Sequence, residues 1–216
     1  MDSQQFPTTK LLLIRHGQAR SADGSYGEDT PLSTLGERQA QRLAEVIAAN
    51  TQPTTIYTSP YRRAAETAIP LCKALKQEPL MDHRLSEFDF GSNSLEAIEE
   101  RPDLLIWQAT HRGTARSESL GEFMVRVTDS CEEMIERHKN ECVAVFAHAG
   151  TIDAAIRWAV GFTPESIWQH EFNLTNGSIT EIDYWPNGQI QGGSPRYASI
   201  VRVGDSAHLT DLVSII

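Results

Sequence analysis

Only three cysteines occur in 216 residues, Cys72, Cys131 and Cys142, and none belongs to a C-x-x-C pair. That excludes a disulfide framework and a zinc-finger spacing. Scattered thiols of odd number read as buried and reduced, which points to a reducing compartment. Positive charge is also short: 19 Lys and Arg stand against 29 Asp and Glu, a net charge of −10 at pH 7. Without a basic face, nucleic acid and anionic membrane are excluded as general partners, whereas a local cationic pocket still suits a small anion. Long apolar runs are missing too. The run nearest the amino terminus, 11–14, is far below the ~20 residues of a membrane span, and no charged start precedes it as in a secretory signal. No repeat or low-complexity tract appears. A soluble, cytoplasmic protein is expected. What is present is an ordinary globular composition, 40% hydrophobic and 22% charged, enough for one well-filled domain over 1–216.

Residues 10–14 (KLLLI) form the compact apolar run of a strand covered on both faces. A polar loop follows over 18–31. Thr34, with Glu37 three residues on, predicts a capping-box start to a helix over about 35–49. Residues 54–58 predict a short strand ended by Ser59-Pro60, and a second helix runs over about 61–75. Beyond a loop at 87–94, residues 95–111 read as helix interrupted at Pro102, 112–119 as a connection and 120–139 as a long helix. A third buried strand is expected at 143–146, with a helix from about 151. Two more strands, 178–184 and 198–203, flank the turn Pro186-Asn187-Gly188. The alternation predicts an α/β three-layer sandwich, a central and mostly parallel sheet flanked by helices. Ligands of such sheets sit beyond the carboxyl ends of the strands. There this chain places Arg15-His16-Gly17, Ser59 to Arg62, and His148-Ala149-Gly150.

Taken singly, these residues say little. His83, His111, His138, His170 and His208 lie in polar surroundings and receive no role. The conjunction says more. Arg15-His16-Gly17 with Pro31-Leu32-Ser33-x-x-Gly36, then Tyr57-Thr58-Ser59-Pro60-x-Arg62-Arg63-Ala64-x-x-Thr67-Ala68, then Leu85-x-Glu87-x-x-Phe90-Gly91, then Val145 to Gly150, occur in one order. This succession resembles the histidine phosphatase superfamily, which includes the cofactor-dependent phosphoglycerate mutases. The resemblance implies a phosphoglycerate mutase-like fold and phosphoryl transfer to His16.

On that resemblance His16 is the nucleophile, neutral, with one ring nitrogen bare and the other's proton held. Arg15 and Arg62 offer planar, permanently charged forks to phosphate oxygens, and their charge disfavours the imidazolium. His148 adds a donor, Gln18 lines the rim, and Glu87 supplies the proton for the leaving alkoxide, with Asp89 as rival acid. Gly17 admits the ligand close to the backbone. Arg63 is assigned instead to the helix surface or a salt bridge, because one turn does not aim two adjacent side chains at one atom.

The chain departs from the family's pattern at Ala19 and Ala22, where a hydroxyl and an Asn are common, at Ala149, where Gly is common, and at Ser92-Asn93-Ser94. A mutase needs a longer insertion after the acid loop than this chain has, so a phosphatase acting on a phosphomonoester is the leading expectation. A mutase-type transfer and a catalytically weak phosphate- or phosphoprotein-binding module are the alternatives. No cofactor and no metal are called for, since arginines do the cationic work. Partners are a small phosphorylated substrate or a phosphoprotein. Residues 92–121, with Arg101, Arg112 and Arg116, are expected to form a lid that sets specificity.

Overall fold

The computed structural model describes residues 8–20, 27–89, 118–161, 172–185 and 197–212. Among them six strands form one sheet: β1 Thr9–Arg15, β2 Thr55–Thr58, β3 Leu80–Met81, β4 Cys142–Ala147, β5 Ile179–Trp185 and β6 Tyr197–Asp205. The spatial order is β3-β2-β4-β1-β5-β6. β1, β2 and β3 run parallel to their neighbours on the β4 side of the sheet, while β5 and β6 are antiparallel. The helices are α1 Thr34–Asn50, α2 Arg62–Leu75, α3 Leu120–Arg137 and α4 Ala149–Ala159. The predicted α/β sandwich is therefore present.

Alternation along β1 builds both cores at once. Leu11 and Leu13 join Val143 and Val145 of β4 beneath α3 and α4, packed with Phe123, Val127, Met134 and Ile152. Leu12 and Ile14 join Ala144 and Phe146 on the other face, against Leu43, Ile47 and Leu71 of α1 and α2. None of Leu11 to Ile14 is more than 3% exposed. The three cysteines are free, Cys72 and Cys131 buried and Cys142 half-buried.

Several expectations need correction. The cap of α1 is Ser33, not Thr34: Ser33 Oγ accepts the Gly36 amide, and Thr34 is already helical. A full capping box occurs instead at Ser119 and Glu122, where α3 begins. β3 was not anticipated, because two exposed residues carry no alternation to read. The expected helix at 95–111, the turn at 186–188, Ala22, Phe90 and Gly91, and most of the expected lid (92–117) lie outside the described residues; only 118–121 of that lid are described, at the root of α3. Among the described residues no helix is long and apolar enough to cross a membrane.

Candidate active site

β1, β2 and β4 are parallel and in register, Arg15 beside Ala147 and Thr58 beside Phe146, so their carboxyl ends open at one edge. The next residues are His16, Ser59 and His148. All three are at most 3% exposed.

His16 is held on every side. Its amide donates to the Ala147 carbonyl, and its own carbonyl accepts from the Gly177 amide and the Asn176 side chain. Gly17 and Gly36 fix the turn beyond it. A Cβ at Gly17 would lie 2.7 Å from the Gly36 carbonyl oxygen, and one at Gly36 would overlap the Gln18 carbonyl. Helix and loop backbones touch there, which only glycine permits. The Gly17 amide donates to Thr67 Oγ1, which in turn donates to the Arg63 carbonyl.

His16 Nδ1 lies 2.7 Å from the Gly17 carbonyl oxygen and must donate to it, since a carbonyl has no proton to give. That fixes the tautomer and leaves Nε2 with its lone pair. Nε2 accepts from Arg63 Nε at 3.1 Å. Burial first, then the charges of Arg63 and Arg15, bring the imidazole pKa down to about 3, against the opposing hydrogen bond to Gly17. His16 is neutral at pH 7.

The guanidinium in the site is thus Arg63, and the assignment of Arg62 to it is corrected. Arg63 is 3% exposed, bonded to His16 and to the Gly27 carbonyl at 2.8 Å, and stacked 5.0 Å from the Tyr61 ring centre. Arg62 points into solvent and pairs with Glu66 one turn on, at 2.7 Å. The pattern of α2 contained this result. Arg63, Ala64, Thr67, Ala68, Leu71 and Cys72 make its buried stripe, whereas Arg62 and Glu66 form an i,i+4 ion pair on the outer side. Arg15 is half-buried, donates to the Leu174 carbonyl, and its charge acts on His16, His148 and Glu87.

His148 packs edge-on to His16, ring centres 5.2 Å apart, and to Tyr61 at 5.0 Å. Its Nε2 is 2.8 Å from Ser59 Oγ, and its Nδ1 is buried with no hydrogen-bond partner among the described residues. Burial, with the nearby His16 and arginines, keeps its pKa well below the ordinary value. Ala149 is the first residue of α4 and tolerates a Cβ there. The close approach falls one residue later: a Cβ at Gly150 would collide with the Glu87 carboxylate.

Glu87 reaches the site from the loop after β3. Its carboxyl oxygens accept the Phe88 amide at 2.9 Å and the Gly150 amide at 3.1 Å. Desolvation raises its pKa, opposed by those two amides and by Arg63 and Arg15. Gln18 sits elsewhere: its side-chain oxygen accepts from Ser33 Oγ, tying the loop to the cap of α1. Asp89 is exposed. Sequence reasoning missed Tyr61, Asn176 and the hydroxyl of Ser59 as site components. Of these only Ser59, beside a strand end, carried a positional signal.

A family model described as the histidine phosphatase superfamily (branch 1) matches residues 11–191. Phosphoserine phosphatase 1 of Hydrogenobacter thermophilus is 31% identical over 183 residues, covering 80% of this chain and 85% of that protein. Among solved structures, a mycobacterial glucosyl-3-phosphoglycerate phosphatase superposes with a TM-score of 0.66 at 25% identity, over 82% of this chain and 90% of that one. A phosphoserine phosphatase from Entamoeba histolytica, solved with phosphoserine, has a TM-score of 0.69 at 21% identity, over 93% and 99% of the two chains, a likeness of fold. With the match running over most of its length, the chain belongs to branch 1 of the histidine phosphatase superfamily.

Proposed function

We propose that the protein is a phosphatase that hydrolyses a small phosphomonoester through a phosphohistidine on His16. The observation that carries this reading is the His16 ring itself. Nδ1–H is committed to Gly17, and the bare Nε2 faces a guanidinium instead of a carboxylate. An imidazole so held is a nucleophile at neutral pH.

When a phosphoryl group seats, Arg63 passes its N–H from Nε2 to an anion oxygen, and Arg15 serves a second oxygen. Charge in phosphoryl transfer accumulates on the equatorial oxygens, so these fixed cations provide most of the stabilisation, and no metal is needed for it. Ser59 Oγ accepts the Tyr61 amide at 3.2 Å. In this reading the Ser59 hydroxyl donates to His148 Nε2, 2.8 Å away, and the His148 proton on Nδ1, which has no partner among the described residues, is a further donor to the anion.

In the first step the Nε2 lone pair forms the N–P bond while the ester P–O bond breaks. Glu87, whose pKa desolvation raises, gives a proton to the departing alkoxide. In the second step water attacks phosphorus and passes a proton to Glu87, the N–P bond breaks, and inorganic phosphate leaves. Phosphorylated small molecules are the substrate class, as the names of the phosphoserine and glucosyl-3-phosphoglycerate phosphatases say of those proteins. That residues 92–121 set the choice among them is part of this proposal.

The test is phosphate release across a panel of phosphoesters in EDTA, wild type against His16→Ala. Release by the wild type and loss of at least about a thousandfold in the variant are expected. A requirement for added divalent metal, or activity surviving in His16→Ala, contradicts the reading. Return of the phosphoryl group to the organic ligand without release makes the protein a mutase.

A further inference from the structure

We propose that Arg126, on α3, is a positioning residue that holds the Glu87 acid in register with the phosphoryl site. This inference rests on the reading of Glu87 as the proton donor.

Four consecutive carbonyls of the acid loop, those of residues 84 to 87, point at side chains of helices instead of at a neighbouring strand. Arg126 Nη1 donates to the Arg84 and Ser86 carbonyls at 2.6 and 2.8 Å, and Nη2 to the Glu87 carbonyl at 3.2 Å. Thr151 Oγ1, on α4, reaches the Leu85 and Ser86 carbonyls at 3.3 and 3.1 Å. The guanidinium is oriented by a two-pronged pair with Glu118, Nε to Oε2 at 2.7 Å and Nη2 to Oε1 at 2.5 Å. It also lies 4.6 Å from the Phe123 ring centre, and Phe123 packs on Phe88 at 5.2 Å. Glu118 further accepts the Asp89 amide at 3.4 Å.

Arg126 does not touch the reacting carboxyl group; it grips that residue's main chain. Only a planar fork serves three carbonyls and a carboxylate together, a task a lysine ammonium does not share. The loop carries no strand pairing at Glu87, so its main chain depends on this grip, while the Phe88 and Gly150 amides hold the carboxyl group. A displacement of about 1 Å at a proton donor is enough to cost on the order of a hundredfold.

A residue that serves only folding lowers activity on every ester alike. One that aims the acid matters most where the leaving group needs a proton. The experiment compares kcat/KM, which reports the transfer to His16 and not the later hydrolysis, for an alkyl phosphate, phosphoserine, with kcat/KM for p-nitrophenyl phosphate, whose alcohol leaves without help. It is run on wild type, Arg126→Met, Glu118→Gln and Glu87→Gln. Arg126→Met keeps the stem against Phe123 and removes the fork. Expected are a loss of about thirtyfold on the alkyl ester against about threefold on the aryl ester for Arg126→Met. The same sense of change, smaller, is expected for Glu118→Gln, and a larger one for Glu87→Gln. Equal losses on both esters in Arg126→Met and Glu118→Gln, with the differential intact in Glu87→Gln, overturn the positioning role and leave the acid standing. Equal losses in Glu87→Gln overturn both. Circular dichroism reports the folded fraction in each preparation, and Glu118→Gln supplies the answer if Arg126→Met does not fold.

Discussion

Arg62 and Arg63 are chemically identical neighbours with opposite fates, and the difference is one of helical phase. A step of about 100° along α2 carries Arg62 to the outer side, beside Glu66, and Arg63 to the buried stripe, against His16. That one turn does not aim both arginines at one atom is correct, but adjacency alone does not say which of the two faces inward; the buried stripe of α2 does. His16, Arg15, His148 and Glu87 were legible because each sits in a motif beside an element boundary; Asn176 and Tyr61 were not, since their roles arise from approach in space. Removing Arg63 takes away a donor to the anion and also a cation that holds His16 neutral. Because catalysis needs the neutral ring, losing a charge that lowers its pKa moves the acid limb of the kcat/KM profile to higher pH. Burial, the larger cause, persists, so the limb stays below the ordinary histidine value. Pre-steady-state and pH-rate measurements on Arg63→Ala are expected to give a loss of about 100- to 1,000-fold with that upward shift. Arg62→Ala is expected to give a change of less than about threefold and no shift. The reverse ranking would restore the sequence-based assignment.

Among elements, buried strands were the most legible. The runs at 10–14 and 143–146 are apolar on both faces because helices cover both, and the structure finds them as β1 and β4. β3 escaped because an edge strand of two exposed residues has no pattern, and the cap of α1 slipped by one because Ser33 and Thr34 offer the same hydroxyl chemistry. The contact of α1 with the loop behind β1 is where element packing meets catalysis. Gly36 lies so near the Gln18 carbonyl that any side chain must push that loop, and the loop carries His16. Gly36→Ala is expected to lower unfolding free energy by about 1–3 kcal/mol, the usual cost of overpacking, and to reduce kcat/KM more than tenfold. Gly27→Ala, with open space around its Cβ, is the control and is expected to change stability by less than about 0.5 kcal/mol. Urea denaturation of the two variants decides it; equal stabilities would show that the close approach relaxes without cost.

Over the whole molecule, a net charge of −10 coexists with a site in which two arginines face two neutral histidines. The architecture makes this possible by bringing three parallel strand ends together from residues more than 130 positions apart. Helix α4 and the acid loop then close the ring through the bond from the Gly150 amide to Glu87. The order of strands and helices foretold that convergence; the identity of the arginine and the grip on the acid loop needed coordinates. The central claim, that His16 Nε2 captures the phosphoryl group, is tested most directly by trapping. Enzyme mixed with phosphate-labelled substrate for one turnover and quenched in alkali, where phosphohistidine survives, is digested and the labelled residue located. The account predicts acid-labile label on His16, absent from His16→Ala. Label on another residue, or label persisting in His16→Ala, would contradict it.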